Sequence, residues 1–128
     1  MKNLVKKAPA TEPDFVLDTR RIAALADEHK AEDIRAYDLR GLTVIADSFV
    51  VCTGTSEPHV KAISGAILSG MRDAGIKARH SEGSHRNGWL VLDYGNVIVH
   101  IFRKEAREFY DLDGLWGDAP KIDLGLDS

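Results

Sequence analysis

Between Trp89 and Tyr110 the chain reads WLVLDYGNVIVHIFRKEAREFY, two apolar runs of strand type separated by Gly95-Asn96 and followed at once by a charged helical segment. A two-residue turn between such runs sets a hairpin and, with it, the pairing register. Tyr94 then lies opposite Val97, Leu92 opposite Val99 and Leu90 opposite Ile101, all on one side of the ribbon. Successive side chains on a strand alternate in direction, so Trp89 pairs with Phe102, Val91 with His100 and Asp93 with Ile98 on the other side. The first face has the composition of a core. The second mixes large apolar groups with an acid and an imidazole, and is either roofed by the protein's own helices or left partly open for a partner. Antiparallel sheets permit both arrangements.

At 128 residues the chain has the size of one domain, and folding at that length buries roughly two-thirds of the unfolded surface. No apolar run is long enough to span a bilayer, so no membrane association is expected. The N-terminal MKNLVKKAPATEPDF has basic residues but neither the apolar block of a secretory signal nor the Arg-rich, acid-poor character of a transit peptide, which points to a cytoplasmic protein. Cys52 is the single cysteine, which rules out an internal disulfide and a thiolate metal cage built from this chain alone. Its place in an apolar run suits a small core residue. With 17 basic and 20 acidic residues the net charge is −3, without the basic excess that phosphate neutralisation requires. Direct nucleic-acid binding is not expected, whereas a mildly acidic surface suits a basic protein partner.

Along the chain, Pro9, Pro13 and a lack of periodicity mark residues 1–13 as a mobile tail, and residues 121–128 are expected to form another. Residues 14–120 then form a single domain. Asp18 or Thr19 is placed to cap a first helix carrying Ile22, Leu25, Ala26 and His29 on one stripe. Residues 32–39 alternate as a strand that Gly41 stops. Residues 49–53, FVVCT, form a continuous apolar run suited to a strand buried on both faces. Ser56, Glu57 and Pro58 open the clearest helix, with Val60, Ile63, Ile67, Leu68 and Met71 inward and Gly75 at its end. Gly65 and Gly70 weaken that helix and suggest that another backbone approaches it. A strand over 76–80, a polar loop over 81–88, the hairpin, a helix over 105–110 and a last turn over 112–116 complete the order. This is an α+β (mixed α/β) pattern, a mixed sheet of about five strands flanked by helices.

Few residues are arranged for catalysis. The loop Gly54-Thr55-Ser56 joins a buried strand to a helix start, where free amides can hold a phosphate, but it lacks the second glycine and the lysine of a P-loop. A hydroxyl cap on the following helix is the favoured explanation, since Ser is a leading choice at that position. Asp93 is the one acid well inside a core strand, too few for two-metal phosphoryl chemistry. His59, His80, His85 and His100 are scattered, and none forms a helical metal-binding pair. His100 lies diagonal to Asp93 on the mixed face, which suggests a hydrogen bond between them. Ser56 has no evident base and Cys52 no adjacent charge to activate it. Trp89, Tyr94, Phe102, Phe109, Tyr110 and Trp116 concentrate the aromatic residues in the last third, as core groups or as interface anchors.

The blocks HKAEDIRAYDLRGL from His29, ADSFVVCTGTS from Ala46, HVKAI from His59, EGSHRNGWLVLDYGNVIVHIF from Glu82, EAREFYDLDGLW from Glu105 and DAP from Asp118 resemble the ribosomal silencing factor S family, also called Iojap-related. The resemblance covers about residues 15–122. Departures are His29 where the family has Leu, Ser48 where it has Tyr, and Asp113-Gly114 where it tends to have Glu and another residue. The resemblance implies a nucleotidyltransferase-like sheet without the catalytic acids, and no cofactor or metal. It also implies binding to the large ribosomal subunit through ribosomal protein uL14, with small-subunit joining blocked sterically and translation lowered when nutrients are scarce. Carried over by position, the partner-binding residues would be Trp89, Leu90, Asp93, Tyr94, His100, Arg103 and Tyr110. The hairpin register puts Leu90 and Tyr94 on the opposite, core side, so these two stand in conflict with that assignment. Two alternatives stay open: a nucleotide-binding or nucleotidyl-transfer enzyme using Gly54-Thr55-Ser56, and a homodimer of the free protein joined through its mixed faces.

Overall fold

The computed structural model describes residues 14–84 and 87–126. Helix α1 (Asp14–Glu28) is followed by β1 (Glu32–Asp38), β2 (Ser48–Gly54), α2 (Glu57–Asp73), β3 (His80–Ser84), β4 (Trp89–Asp93), β5 (Val97–Arg103), α3 (Lys104–Tyr110) and α4 (Leu112–Leu115). The strands form one mixed sheet in the order β1-β2-β5-β4-β3, an α+β fold. β2 and β5 run parallel in its interior, and the remaining pairs are antiparallel. All seven residues of β2 are buried, as the apolar run of 49–53 predicts for a strand covered on both faces.

Each face of the sheet carries its own core. On one, Val50, Cys52, Val97, Val99, Ile101, Leu92 and Tyr94 meet Ile22 and Ala26 of α1 and Val60, Ile63, Ile67 and Met71 of α2. On the other, Tyr37, Phe49, Val51, Ile98 and Phe102 meet Leu39, Ala46 and Ala119, with Trp89, Val91, Ala106, Leu112 and Trp116 packed around them. The hairpin pairs as its turn dictates: Trp89 with Phe102, Leu90 with Ile101, Val91 with His100, Leu92 with Val99 and Asp93 with Ile98. Of the two turn residues only Gly95 has a positive φ, the pattern of a type II′ turn. The Asn96 carbonyl accepts from the Asp47 and Ser48 amides, tying this turn to the start of β2.

Three local expectations are corrected. α1 begins at Asp14, a full turn before Asp18 and Thr19. Thr19 is buried inside the helix, bonded to the Phe15 carbonyl at 2.5 Å and to Ser48 Oγ at 2.7 Å, and caps nothing. The strand expected over 76–80 shares only His80 with the observed strand, His80–Ser84, the rest of which lies in the stretch expected to be loop; residues 85 and 86 of that stretch lie outside the described residues. Ile76 continues the end of α2, its amide bonded to the Met71 carbonyl beside the Gly75 bond to Arg72 in a Schellman pattern. The polar edge strand β3 owes its conformation to pairing with β4, not to its own propensities. Residues 121–126, expected to belong to a tail, lie along the edge of the sheet. Lys121 bridges Tyr37, the Ile122 amide bonds the Ala36 carbonyl, and Ile122 and Leu124 pack on the core. The expected N-terminal tail lies outside the described residues.

The two glycines of α2 differ. A Cβ at Gly70 would meet Leu25 Cδ2 at 2.4 Å, so the close neighbour is the α1 side chain and not a backbone. Gly65 is exposed with open space around its Cβ direction.

α3 and α4 are held to the sheet by one buried cation. Arg107 is 7% exposed. Its Nε donates to Asp113 Oδ2 at 2.8 Å, and its Nη1 donates to the Asp33 carbonyl at 2.6 Å and to Thr53 Oγ1 at 2.8 Å. Tyr37 donates its hydroxyl to the same Asp113 carboxylate. Burial pushes the Asp113 carboxyl up, but the bonds from Arg107 and Tyr37 outweigh it, and the group stays below its ordinary range.

Asp113→Ala removes the nearer of two carboxylates at this buried guanidinium, leaving only the half-exposed Asp33 at 3.6 Å, and is expected to cost about 3 kcal/mol in urea unfolding. Tyr37→Phe, which removes one hydrogen bond, should cost about 1 kcal/mol. Gly65→Ala should stabilise the protein by about 0.5–1 kcal/mol through helix propensity, whereas Gly70→Ala should not, because Leu25 must move. Equal gains from the two glycine changes would contradict this packing.

Candidate interaction surface

The sheet face opposite α1 and α2 gathers an aromatic cluster around the hairpin. Trp89 stacks on Phe102 at 5.1 Å between ring centroids and packs at a tilt of 44° against Tyr110 of α3 at 4.5 Å. Tyr110 in turn meets the edge of Phe109 at 5.1 Å. Phe109 is 80% exposed, Tyr110 44% and Leu115 69%, so α3 and α4 cover only part of this face and themselves present apolar groups outward. Trp89 lies between, partly buried.

Sequence reasoning places Trp89, His100, Arg103 and Tyr110 in this region; the structure brings Trp89, His100 and Tyr110 together here and turns Arg103 away. Arg103 leads directly into α3 and approaches Glu57 of α2 at 4.0 Å. His100 is not a surface residue. It is 6% exposed, between Phe49 at 4.5 Å and Phe102 at 6.2 Å. The expected Asp93–His100 bond is replaced by two others. Trp89 Nε1 donates to His100 Nδ1 at 3.1 Å, and Asp93 Oδ1 accepts from the Gly95 amide at 2.7 Å, which caps the hairpin turn. Leu90 and Tyr94 point into the other core, as the hairpin register predicts and the family-derived assignment does not. Burial raises the Tyr94 hydroxyl above its ordinary value.

Several apolar residues escape sequence reasoning. Leu42, Val44 and Ile45 stand 54%, 103% and 62% exposed on the β1–β2 connection, whose two ends, Leu39 and Ala46, are anchored in the aromatic-face core. Their signal was the apolar run following Gly41. Phe109 was visible as an aromatic but its exposure was not, because helical spacing alone does not say which side of a seven-residue helix meets the sheet.

The loop after β2 uses its polar groups internally. Ser56 caps α2 by accepting from the His59 amide at 3.2 Å. The Thr55 amide donates to His59 Nδ1 at 2.8 Å, and the His59 Nε2–H reaches the His29 carbonyl at 2.8 Å. A Cβ on Gly54 would meet Val60 Cγ2 at 2.7 Å, so close packing of α2 against β2 explains this glycine. Burial pushes the Cys52 thiol up to about 12, which makes it inert at neutral pH. Among the described residues no group of three or more His, Cys, Asp or Glu could hold a metal ion, and no helix is long and apolar enough to cross a membrane.

Burial pushes the His100 imidazole down from its ordinary 6.5 to about 4. Between those values the unfolded chain holds a proton that the native protein does not, so this contribution to stability falls as pH falls through that window. The loss is of order 3 kcal/mol in all. Asp113 acts below its ordinary value of 3.8, outside the window. Unfolding midpoints measured across pH 6.5 to 4 should therefore flatten in His100→Phe relative to the unaltered protein.

A family model described as "Ribosomal silencing factor during starvation" matches residues 12–127. Ribosomal silencing factor RsfS of Bacillus subtilis is 42% identical over 102 residues, covering 80% of this chain and 86% of that protein. The chloroplastic protein Iojap of Zea mays is 38% identical over 110 residues, which are 84% of this chain and 46% of that longer protein. A crystal structure from Chromobacterium violaceum matches with a TM-score of 0.76 at 27% identity, covering 91% of this chain and 95% of that one. One from Bacillus halodurans matches with a TM-score of 0.72 at 31% identity, covering 88% and 100%. With a model spanning nearly its whole length and relatives of this similarity, the chain belongs to the ribosomal silencing factor family.

Proposed function

We propose that this protein binds the large ribosomal subunit through ribosomal protein uL14 and silences translation by occupying the surface on which the small subunit docks. The observation that carries the proposal is the half-covered aromatic face. Trp89 and Tyr110 pack together there with Phe109 projecting into solvent, the kind of large, rigid apolar group that anchors protein interfaces. Inhibition of this kind needs bulk and affinity only, so it is stoichiometric and requires no turnover. The protein works in the compartment that holds the ribosomes, which we take to be the cytoplasm.

Of the proposed contact residues, Trp89 and Tyr110 are available at this face, whereas Arg103, at the end of β5, extends toward Glu57 of α2 on the opposite side. Leu90, Tyr94 and His100 serve beneath it, and Asp93 shapes the turn at its end. Phe109 joins the contact set on the strength of its exposure. A nucleotide-binding enzyme is the weaker reading, because the Thr55 amide and the Ser56 hydroxyl are both engaged by His59.

Sedimentation with separated subunits should carry the protein with the large subunit and not the small one. Phe109→Ala and Tyr110→Ala together should weaken that binding at least about tenfold, some 1.4 kcal/mol, with little change in unfolding midpoint. Wild-type co-sedimentation of the double variant would place the interface elsewhere. Calorimetry with magnesium and ATP should show no binding heat; a saturable signal would favour the enzyme.

A further inference from the structure

We propose that His100 is a positioning residue for ribosome binding, acting through Trp89 rather than touching the partner: its imidazole fixes the indole in the orientation the partner meets. This rests on the aromatic-face interface proposed above. His100 Nδ1 accepts the Trp89 Nε1–H at 3.1 Å, so the neutral ring must carry its proton on Nε2. That Nε2 is buried with no hydrogen-bond partner among the described residues. A buried donor left unpaired costs about 1–3 kcal/mol. The site is otherwise aromatic, with Phe49, Phe102 and Trp89 around the ring, and a phenyl group would fill it without that cost. For stability alone an imidazole thus gains little over a phenyl ring, which would exchange the unpaired Nε2–H for an unpaired Trp89 Nε1–H at the partly exposed edge. The one polar service it renders is to the indole.

What that service achieves follows from the geometry. Trp89 is only partly buried, and its ring spans the boundary between the core residue Phe102 and the exposed Tyr110. Stacking restrains the plane of the indole but leaves a flipped ring open to it. A hydrogen bond to one edge selects a single orientation, and preorganising an interface aromatic lowers the ordering cost of association.

The test compares large-subunit binding of His100→Phe, His100→Asn, Trp89→Phe and the Trp89→Phe/His100→Phe pair, each with its unfolding midpoint. His100→Phe should bind several-fold more weakly while its midpoint at neutral pH is unchanged or higher. His100→Asn, whose carboxamide oxygen falls near the position of Nδ1, should recover most of the binding. In the Trp89→Phe background, which has no N–H to hold, His100→Phe should have no further effect. Wild-type binding by His100→Phe, or an equal loss in both backgrounds, overturns the proposal. Nitrogen-15 NMR of the unaltered protein provides a readout independent of the variants: an Nε2-protonated imidazole and a slowly exchanging Trp89 indole proton support it, and an Nδ1-protonated ring overturns it. If the Phe109→Ala/Tyr110→Ala variant binds normally, the interface and this inference fall together; if that variant is impaired while His100→Phe is not, only this inference falls.

Discussion

The parallel pairing of β2 with β5 is the constraint from which the rest of the structure follows. Both strands are interior to the sheet, and every residue of β2 and all but the last of β5 are buried, so each face above them must be covered. Two long helices, α1 and α2, cover most of one face. The other is left to two short helices of seven and four residues, with the connection after β1 and the chain around Ala119. One side of the protein is therefore largely closed and the other is finished only in part, with aromatic side chains at its margin.

That margin is kept in place by polar contacts more than by helix length. A helix of two turns has little stability of its own. Arg107 compensates by inserting a cation between α3 and the sheet, where a β-bulge in β1 turns the Asp33 carbonyl toward it and Asp113 supplies the nearer counter-charge, with the Asp33 carboxylate at 3.6 Å. A buried ion pair adds little net stability compared with apolar packing, but its directional bonds define a single docking geometry. The position and angle of Tyr110 and Phe109 follow from it.

Much of this was legible along the chain, and the failures have physical causes. The hairpin register was legible because Gly95-Asn96 admits few turn types and because a slip of one residue would exchange the two faces. The Ser56 cap was legible because capping is local. β3 was not, because the sequence from His80 to Ser84 carries no strand signal and its extended form comes from β4 beside it. The burial of Arg107 was hidden as well: in EAREFY it looks like one solvated charge among several, and the sheet groups it bonds, Asp33 and Thr53, are 74 and 54 residues away along the chain. Asp113, a departure from the family pattern, reads as a surface acid until Arg107 and Tyr37 are brought to it.

The mixed five-stranded sheet, the hairpin and its two faces, the burial of β2 and the family could be read along the chain, since each depends on short-range pattern or on long matching blocks. How the mixed face is divided emerges only from the folded arrangement. It sent His100 beneath and Trp89 and Tyr110 to the rim, and bound His100 to Trp89 instead of Asp93. Strand alternation says which side of a sheet a residue occupies. How deeply it lies depends on where α3, α4 and the chain around Ala119 come to rest, which is set by contacts far apart in the sequence.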